Sequence, residues 1–224
     1  MTVRRPALRR ATAVGCAAAL VAWNGVVLPA MRLGPRGRAA ANALAGVALT
    51  AATRAAGVSA GELGLRDPAR GARWGAAAAL VPAAAYTVLL TVPAARRRMA
   101  AGPRRADHVE WILVHIPFGT VLAEELLFRS ALYALARRAW PRRGGALGAV
   151  TFGLWHIVPA RNAGDSVAGT VLLTGLSGLL FDELRRRSAS VVAPMLAHLA
   201  INVGGAVAVG VAAPPDPDPR DVRR

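Results

Sequence analysis

Clusters of arginine divide the chain into long apolar runs, and an uninterrupted run of about 20 apolar residues has few stable fates other than a membrane-crossing helix. The stretches lie at roughly 11–31, 39–58, 74–95, 109–136, 145–160, 166–184 and 189–213. Their hydrophobicity is continuous rather than alternating, and inside lipid every backbone N–H and C=O must find an internal partner, so helices are expected and a barrel is not. The expected architecture is all-α, a polytopic transmembrane helical bundle of about seven spans, six to eight, in the cell membrane. The fifth stretch is short, carries Gly148 and Gly153 and ends at Pro159, which predicts an element that is tilted, partly re-entrant or embedded in protein.

Lys+Arg total 28 against 12 Asp+Glu, a net charge of +16, and every base is arginine. With the abundant Ala and Gly this suggests a high-GC codon bias and hints at a bacterial host. A nucleic-acid binder would spread such bases over a polar face, whereas here they sit between apolar runs, so nucleic acid is set aside as a partner. The only cysteine, Cys16, lies within the first run, which excludes an intrachain disulfide or a cysteine zinc site. Arg4, Arg5, Arg9 and Arg10 precede an apolar stretch from Ala11 to Met31 that is longer than a signal-peptide core, so an uncleaved first helix is expected. An N-in arrangement leaves about 15 loop arginines inside and about 12 outside, with the cluster Arg96, Arg97, Arg98, Arg104 and Arg105 on the unfavoured side. Ala60 to Arg66 forms a polar interlude that reads as an interfacial loop. The tail, 214–224, repeats Pro and Asp and is expected to be disordered.

Ionisable side chains at membrane depth cost on the order of 2.5–3.5 kcal/mol each, so their positions carry functional information. The fourth run holds Glu124, Glu125 and Arg129 within six residues. Glu125 and Arg129 stand at i and i+4 on one helix face, with the acid first, and can neutralise each other. Glu124 is turned about 100° away, free to act as a general base toward another partner. In the fifth run Phe152 and His156 share a face four residues apart; a lone histidine there is also a common core residue. In the last run His198 and Asn202 are again i and i+4, and an imidazole with a carboxamide can donate two hydrogen bonds to a developing oxyanion. Pro194, one turn earlier, is expected to open that helix toward water. His115 precedes Glu124 by nine residues, about 13 Å on an ideal helix, so it and His108 are assigned to packing or interface roles.

Three motifs therefore stand in order: Glu-Glu-x-x-x-Arg at 124–129, Phe-x-x-x-His at 152–156 and His-x-x-x-Asn at 198–202. Together with Glu62-Leu63-Gly64-Leu65-Arg66 and the approach Ala193-Pro194-Met195-Leu196-Ala197-His198, this order resembles the CPBP family. Those are the CAAX-protease and bacteriocin-processing intramembrane endopeptidases, which include the type II CAAX prenyl proteases. The resemblance spans about 62–202 and suggests a division into N-terminal helices without a family signature (1–60), a protease core (61–213) and the tail. It implies peptide-bond hydrolysis of a membrane-associated protein or peptide, with Glu124 and His156 activating water, His198 and Asn202 stabilising the oxyanion, and Glu125 and Arg129 supporting the site.

Two chemistries fit that role set. One is a metal-free Glu–His dyad; the other is a zinc-type ion held by His156, His198 and a carboxylate, in keeping with the family's historical label as metalloproteases. The metal-free scheme is favoured, because the pattern is not His-Glu-x-x-His and Asn202 suits a neutral donor better than a zinc ligand. The competing functional classes are a non-catalytic membrane immunity or scaffold protein of the same fold and a proton or ion transporter using the same charges.

Overall fold

The structure is a computed structural model that describes residues 4–101 and 105–213; the proline-rich tail and Arg104 lie outside the described residues. Every regular element among them is helical. α1 runs over Arg4–Ala22 and continues through a wide turn, Trp23–Val27, to Ala30. It is followed by α2 (Pro35–Ala55), α3 (Pro68–Thr91), the short α4 (Pro93–Ala100) and the long α5 (His108–Ala139). The chain ends with α6 (Gly144–Trp155), α7 (Ile157–Ala163), α8 (Val167–Ser188) and α9 (Val192–Ala212).

Among the described residues, five segments are long and apolar enough to cross a membrane: Pro6–Ala30, α3, α5, α8 and α9. The protein is a polytopic helical membrane protein. Large apolar side chains such as Leu80, Val81, Leu172, Leu173 and Leu180 point outward, as a lipid-facing surface requires. Two of the runs expected to span fall outside these five. The second is α2, 21 residues long, whose Arg36, Arg38 and Arg54 cluster toward its ends. The fifth is α6, whose 12 residues rise about 18 Å, well short of a bilayer's hydrocarbon core. α6 is wedged among its neighbours, and its chain breaks at His156 before α7 resumes. Embedding in protein was one of the forms expected for that stretch.

With lipid outside, helix association rests on close packing and on polar side chains that reach across interfaces. α9 lies along α3, where the Tyr86 hydroxyl donates to the Ile201 carbonyl at 2.9 Å. α2 lies along α5, with Thr50 Oγ1 donating to Leu126 O at 3.2 Å and Asn42 Nδ2 to Gly119 O at 3.2 Å. A Cβ at Gly119 would meet Ala39 Cβ at 2.6 Å, so only glycine allows this approach. α1 reaches α6 through Asn24 Nδ2, which donates to the Trp155 carbonyl at 2.8 Å. Leu20, Leu127, Phe128, Phe152, Trp155 and Phe181 form the apolar centre that these contacts enclose.

α5 departs from ideal geometry. Over Trp111–Leu122, and again over Glu125–Leu132, its hydrogen bonds skip one residue further than in an α-helix. Pro117 lies inside the first wide stretch and removes a donor from it. The polar interlude forms a turn-rich loop between α2 and α3, as the sequence predicts, and docks on the ends of α5 and α8. Gly64 adopts φ +77 there, where a Cβ would fall 2.3 Å from Arg185 Nε.

Candidate active site

Three helices deliver the polar motifs to one buried region. Glu124 and Glu125 come from the middle of α5, His156 from the break between α6 and α7, and His198 from α9 just after Pro194. Glu125 and Arg129 are almost wholly enclosed. The expected i, i+4 contact is present, with Arg129 Nη1 3.5 Å from Glu125 Oε1. The closer partner of that same oxygen is His198 Nδ1, at 2.8 Å. Across the ring, His198 Nε2 lies 3.9 Å from Glu124 Oε2, so the imidazole stands between the two carboxylates. Phe181 stacks on it with ring centroids 5.0 Å apart.

Glu124 is oriented from the other side. Its Oε1 accepts from Trp155 Nε1 at 3.0 Å, and the Trp155 carbonyl is in turn held by Asn24. Its Oε2 is buried without a hydrogen-bond partner in the protein. Glu124, Trp155 and His156 line a cavity of about 600 Å³ whose other walls include Asn24, Arg38 and Asn42. The His156 ring is fixed by a 2.7 Å contact between Nδ1 and the Phe152 carbonyl, which leaves Nε2 as the nitrogen with chemical freedom. The Phe152 ring also meets the imidazole edge-on, with centroids 4.7 Å apart, so the i, i+4 spacing both orients and packs the His156 ring.

Asn202 lines a neighbouring cavity of about 370 Å³, together with Tyr86 and Ile116. Arg105, Trp111 and Thr120 border both spaces, so Asn202 and Glu124 are served by adjoining compartments. Of the six expected site residues, Glu124, Glu125, Arg129 and His198 form one contact network, His156 shares the cavity of Glu124, and Asn202 stands next door.

Several residues escaped the sequence reading. Arg129 has a second carboxylate, Asp182 of α8, with Nε to Oδ1 at 3.6 Å, and its guanidinium lies over Phe152 at 4.1 Å and Phe181 at 5.0 Å. Asp182 precedes a run of arginines at the end of its helix and reads in sequence as a solvated terminus. Arg185, also buried, reaches the Arg129 carbonyl from Nε at 3.3 Å and the Glu62 carbonyl from Nη2 at 2.9 Å. The interlude is thereby tied to the helix that bears the carboxylates. Glu62 itself accepts from Arg138 at 2.6 and 2.8 Å and is held well down, to about 2, chiefly by that guanidinium. His115, assigned from the sequence to packing, is buried and also lines the Glu124 cavity.

Among the described residues, no three His, Cys, Asp or Glu side chains converge as a metal site would require. His198 Nδ1 is engaged by Glu125 and His156 Nδ1 by a carbonyl, and the donor set His156, His198 and a carboxylate is not assembled around one point.

Comparison with known families bears on one stretch of the chain. Residues 107–204 match the family described as type II CAAX prenyl endopeptidase Rce1-like. This stretch is an Rce1-like domain. The match opens one residue before α5 and closes within α9, so it contains all three motifs. An Rce1-like domain implies an intramembrane protease. No curated protein and no solved structure matches the chain.

Proposed function

We propose that the protein is an intramembrane endopeptidase in which Glu124 and His156 activate a water molecule for attack on a peptide bond of a membrane-associated protein or peptide. One observation supports this reading: a carboxylate fixed through one oxygen by Trp155 lines the cavity that His156 shares, while its other oxygen is buried without a hydrogen-bond partner, 3.9 Å from His198 Nε2. Buried polar atoms are rarely left unpaired, and one beside a cavity large enough for water is a natural seat for the nucleophile. Glu124 would take the proton as the water oxygen adds to the carbonyl carbon, and His156 Nε2 would hold the water's second hydrogen or direct its lone pair.

The oxyanion then needs donors. His198 presents Nε2 toward Glu124 while Glu125 holds its Nδ1, so as a donor it would carry hydrogen on both nitrogens. Asn202, one turn on, would add a neutral N–H from the adjoining compartment. Glu125 and Arg129 act through His198 and are positioning residues.

The test compares membranes containing the wild-type protein with membranes containing Glu124→Gln and reads the tail-end peptides of their proteins by mass spectrometry. Peptides that appear only with the wild type support the reading and identify the substrate. Identical profiles at equal protein levels would remove it.

A further inference from the structure

His115 belongs to no motif, yet its side chain, 4% exposed, lines the cavity of Glu124 and His156. An ideal helix would separate it from Glu124 by about 13 Å along the axis. The wide turns of α5 climb less per residue, and both side chains reach the same space. His115 Nε2 lies 3.3 Å from Glu110 Oε1, one turn back. Glu110 is gripped by Arg36 of α2 in a two-point contact, Nε to Oε1 at 2.6 Å and Nη2 to Oε2 at 3.0 Å.

Side-chain exposure climbs along this series, from 4% at His115 through 29% at Glu110 to 83% at Arg36. The series therefore runs from the interior of the cavity to the protein surface. Other charged or titratable groups also face this region. Asp107 and Arg105 precede it on the chain and pair with each other, and Arg105 covers the Trp111 ring at 4.1 Å. Arg38 of α2, Glu124 and His156 complete the cavity wall. The Trp111 ring lies beside the imidazole, with centroids 5.6 Å apart.

A carboxylate that fixes one nitrogen of an imidazole leaves the other as the exchangeable position. The two-point hold by Arg36 orients the Glu110 carboxylate. With Nε2 beside Glu110, Nδ1 is the nitrogen left to exchange a proton, and His115 and Glu124 line one cavity of about 600 Å³, room enough for several waters.

We propose that His115, oriented by the Arg36–Glu110 pair, is the proton carrier of this cavity, linking the base that activates water to the departing amine and to bulk solvent. The inference rests on the reading of Glu124 as that base. In each turnover the water O–H bond breaks as its oxygen bonds the carbonyl carbon, and Glu124 receives the proton. The C–N bond breaks as the nitrogen gains a proton from His115, which takes up the proton held by Glu124, so both groups end the cycle as they began. The carboxylic acid product then loses its own proton to solvent along the same route.

The full-length protein in detergent, with a quenched-fluorescence peptide that it cleaves in a Glu124-dependent manner, provides the test. His115→Ala should lower kcat by about tenfold in dilute buffer with KM within twofold, a modest share of what acid–base groups supply. Added imidazole should restore much of the loss, while doing nothing for Glu124→Gln. Glu110→Gln, which keeps the ring and removes its anchor, should lower kcat in the same direction by a smaller factor. A His115→Ala enzyme that turns over like the wild type, or whose loss lies in KM or is indifferent to imidazole, would overturn the proposal while leaving Glu124 in its role. If no peptide is cleaved in a Glu124-dependent way, the proposed function falls and this inference with it.

Discussion

Glu124 and Glu125 are chain neighbours with opposite surroundings, and their substitutions separate the two roles. Glu124→Gln keeps the acceptor for Trp155 and the shape of the cavity wall but cannot take a proton near neutral pH, so proteolysis should vanish while yield and unfolding temperature stay near those of the wild type. Glu125→Gln should also cost stability. It strips the charge from the oxygen shared by His198 and Arg129, and breaking such a buried pair typically costs about 3–5 kcal/mol. Asp182 remains beside Arg129 and should hold the loss toward the lower end. Thermal unfolding in detergent and an activity assay on both variants check this, and equal behaviour would refute the division of labour. Asn202→Ala, by contrast, should leave a slow enzyme, down by about 10²–10³ in turnover, as removal of a single oxyanion donor does elsewhere. Wild-type turnover by that variant would take Asn202 out of the mechanism.

At the scale of elements, the loop from Gly57 to Asp67 fixes the ends of α5 and α8. Glu62 is held to about 2, so the sign of its contribution is defined: the stabilisation from its contact with Arg138 is present above the ordinary carboxylate range and fades as pH falls toward 2. The difference in unfolding temperature between the wild type and Glu62→Gln should therefore be constant from pH 8 to about pH 5 and shrink in stronger acid. The pair is partly exposed, so the difference should correspond to no more than about 1 kcal/mol. Gly64→Ala should do more damage, because the left-handed backbone and the collision with Arg185 act together; a loss of about 1–3 kcal/mol is expected in the same measurement. How much of this was legible in the sequence depends on whether a residue's cue is local. The Glu125–Arg129 contact and the shared face of His198 and Asn202 follow from helix periodicity and were readable. The His198–Glu125 contact joins residues 73 apart, and Asp182 and Arg185 reach Arg129 from another helix, so no spacing could announce them. That His115, packed against Trp111, also lines the cavity of Glu124 was hidden for a different reason: ideal-helix arithmetic does not hold across a stretch whose turns are wide.

The molecule as a whole places the cavity between the Rce1-like stretch and helices that lie before it. Residues up to about 60 showed no functional signature, because an asparagine in an apolar run, such as Asn24 or Asn42, looks like any other interhelical polar contact. In the fold these two side chains hold the Trp155 and Gly119 carbonyls, Thr50 holds that of Leu126, and Asn24, Arg38 and Asn42 line the cavity itself. A chain shortened to residues 61–213 would leave these three carbonyls without their side-chain partners at membrane depth. Each lost partner costs about 1–3 kcal/mol, and a domain's whole margin is about 5–15 kcal/mol. It would also lose the Arg36 hold on Glu110 and the contacts of Leu20 with the apolar centre. The shortened chain should therefore fail to yield a monodisperse, active protein in detergent, although it retains every motif residue. Supplying residues 1–60 as a separate polypeptide in the same membrane should restore some Glu124-dependent cleavage, since their contacts are side-chain docking rather than a requirement for chain continuity. A shortened chain that cleaves at the wild-type rate would show that the motif-bearing helices build the cavity alone, and that the polar contacts from α1 and α2 contribute neither to its walls nor to its chemistry.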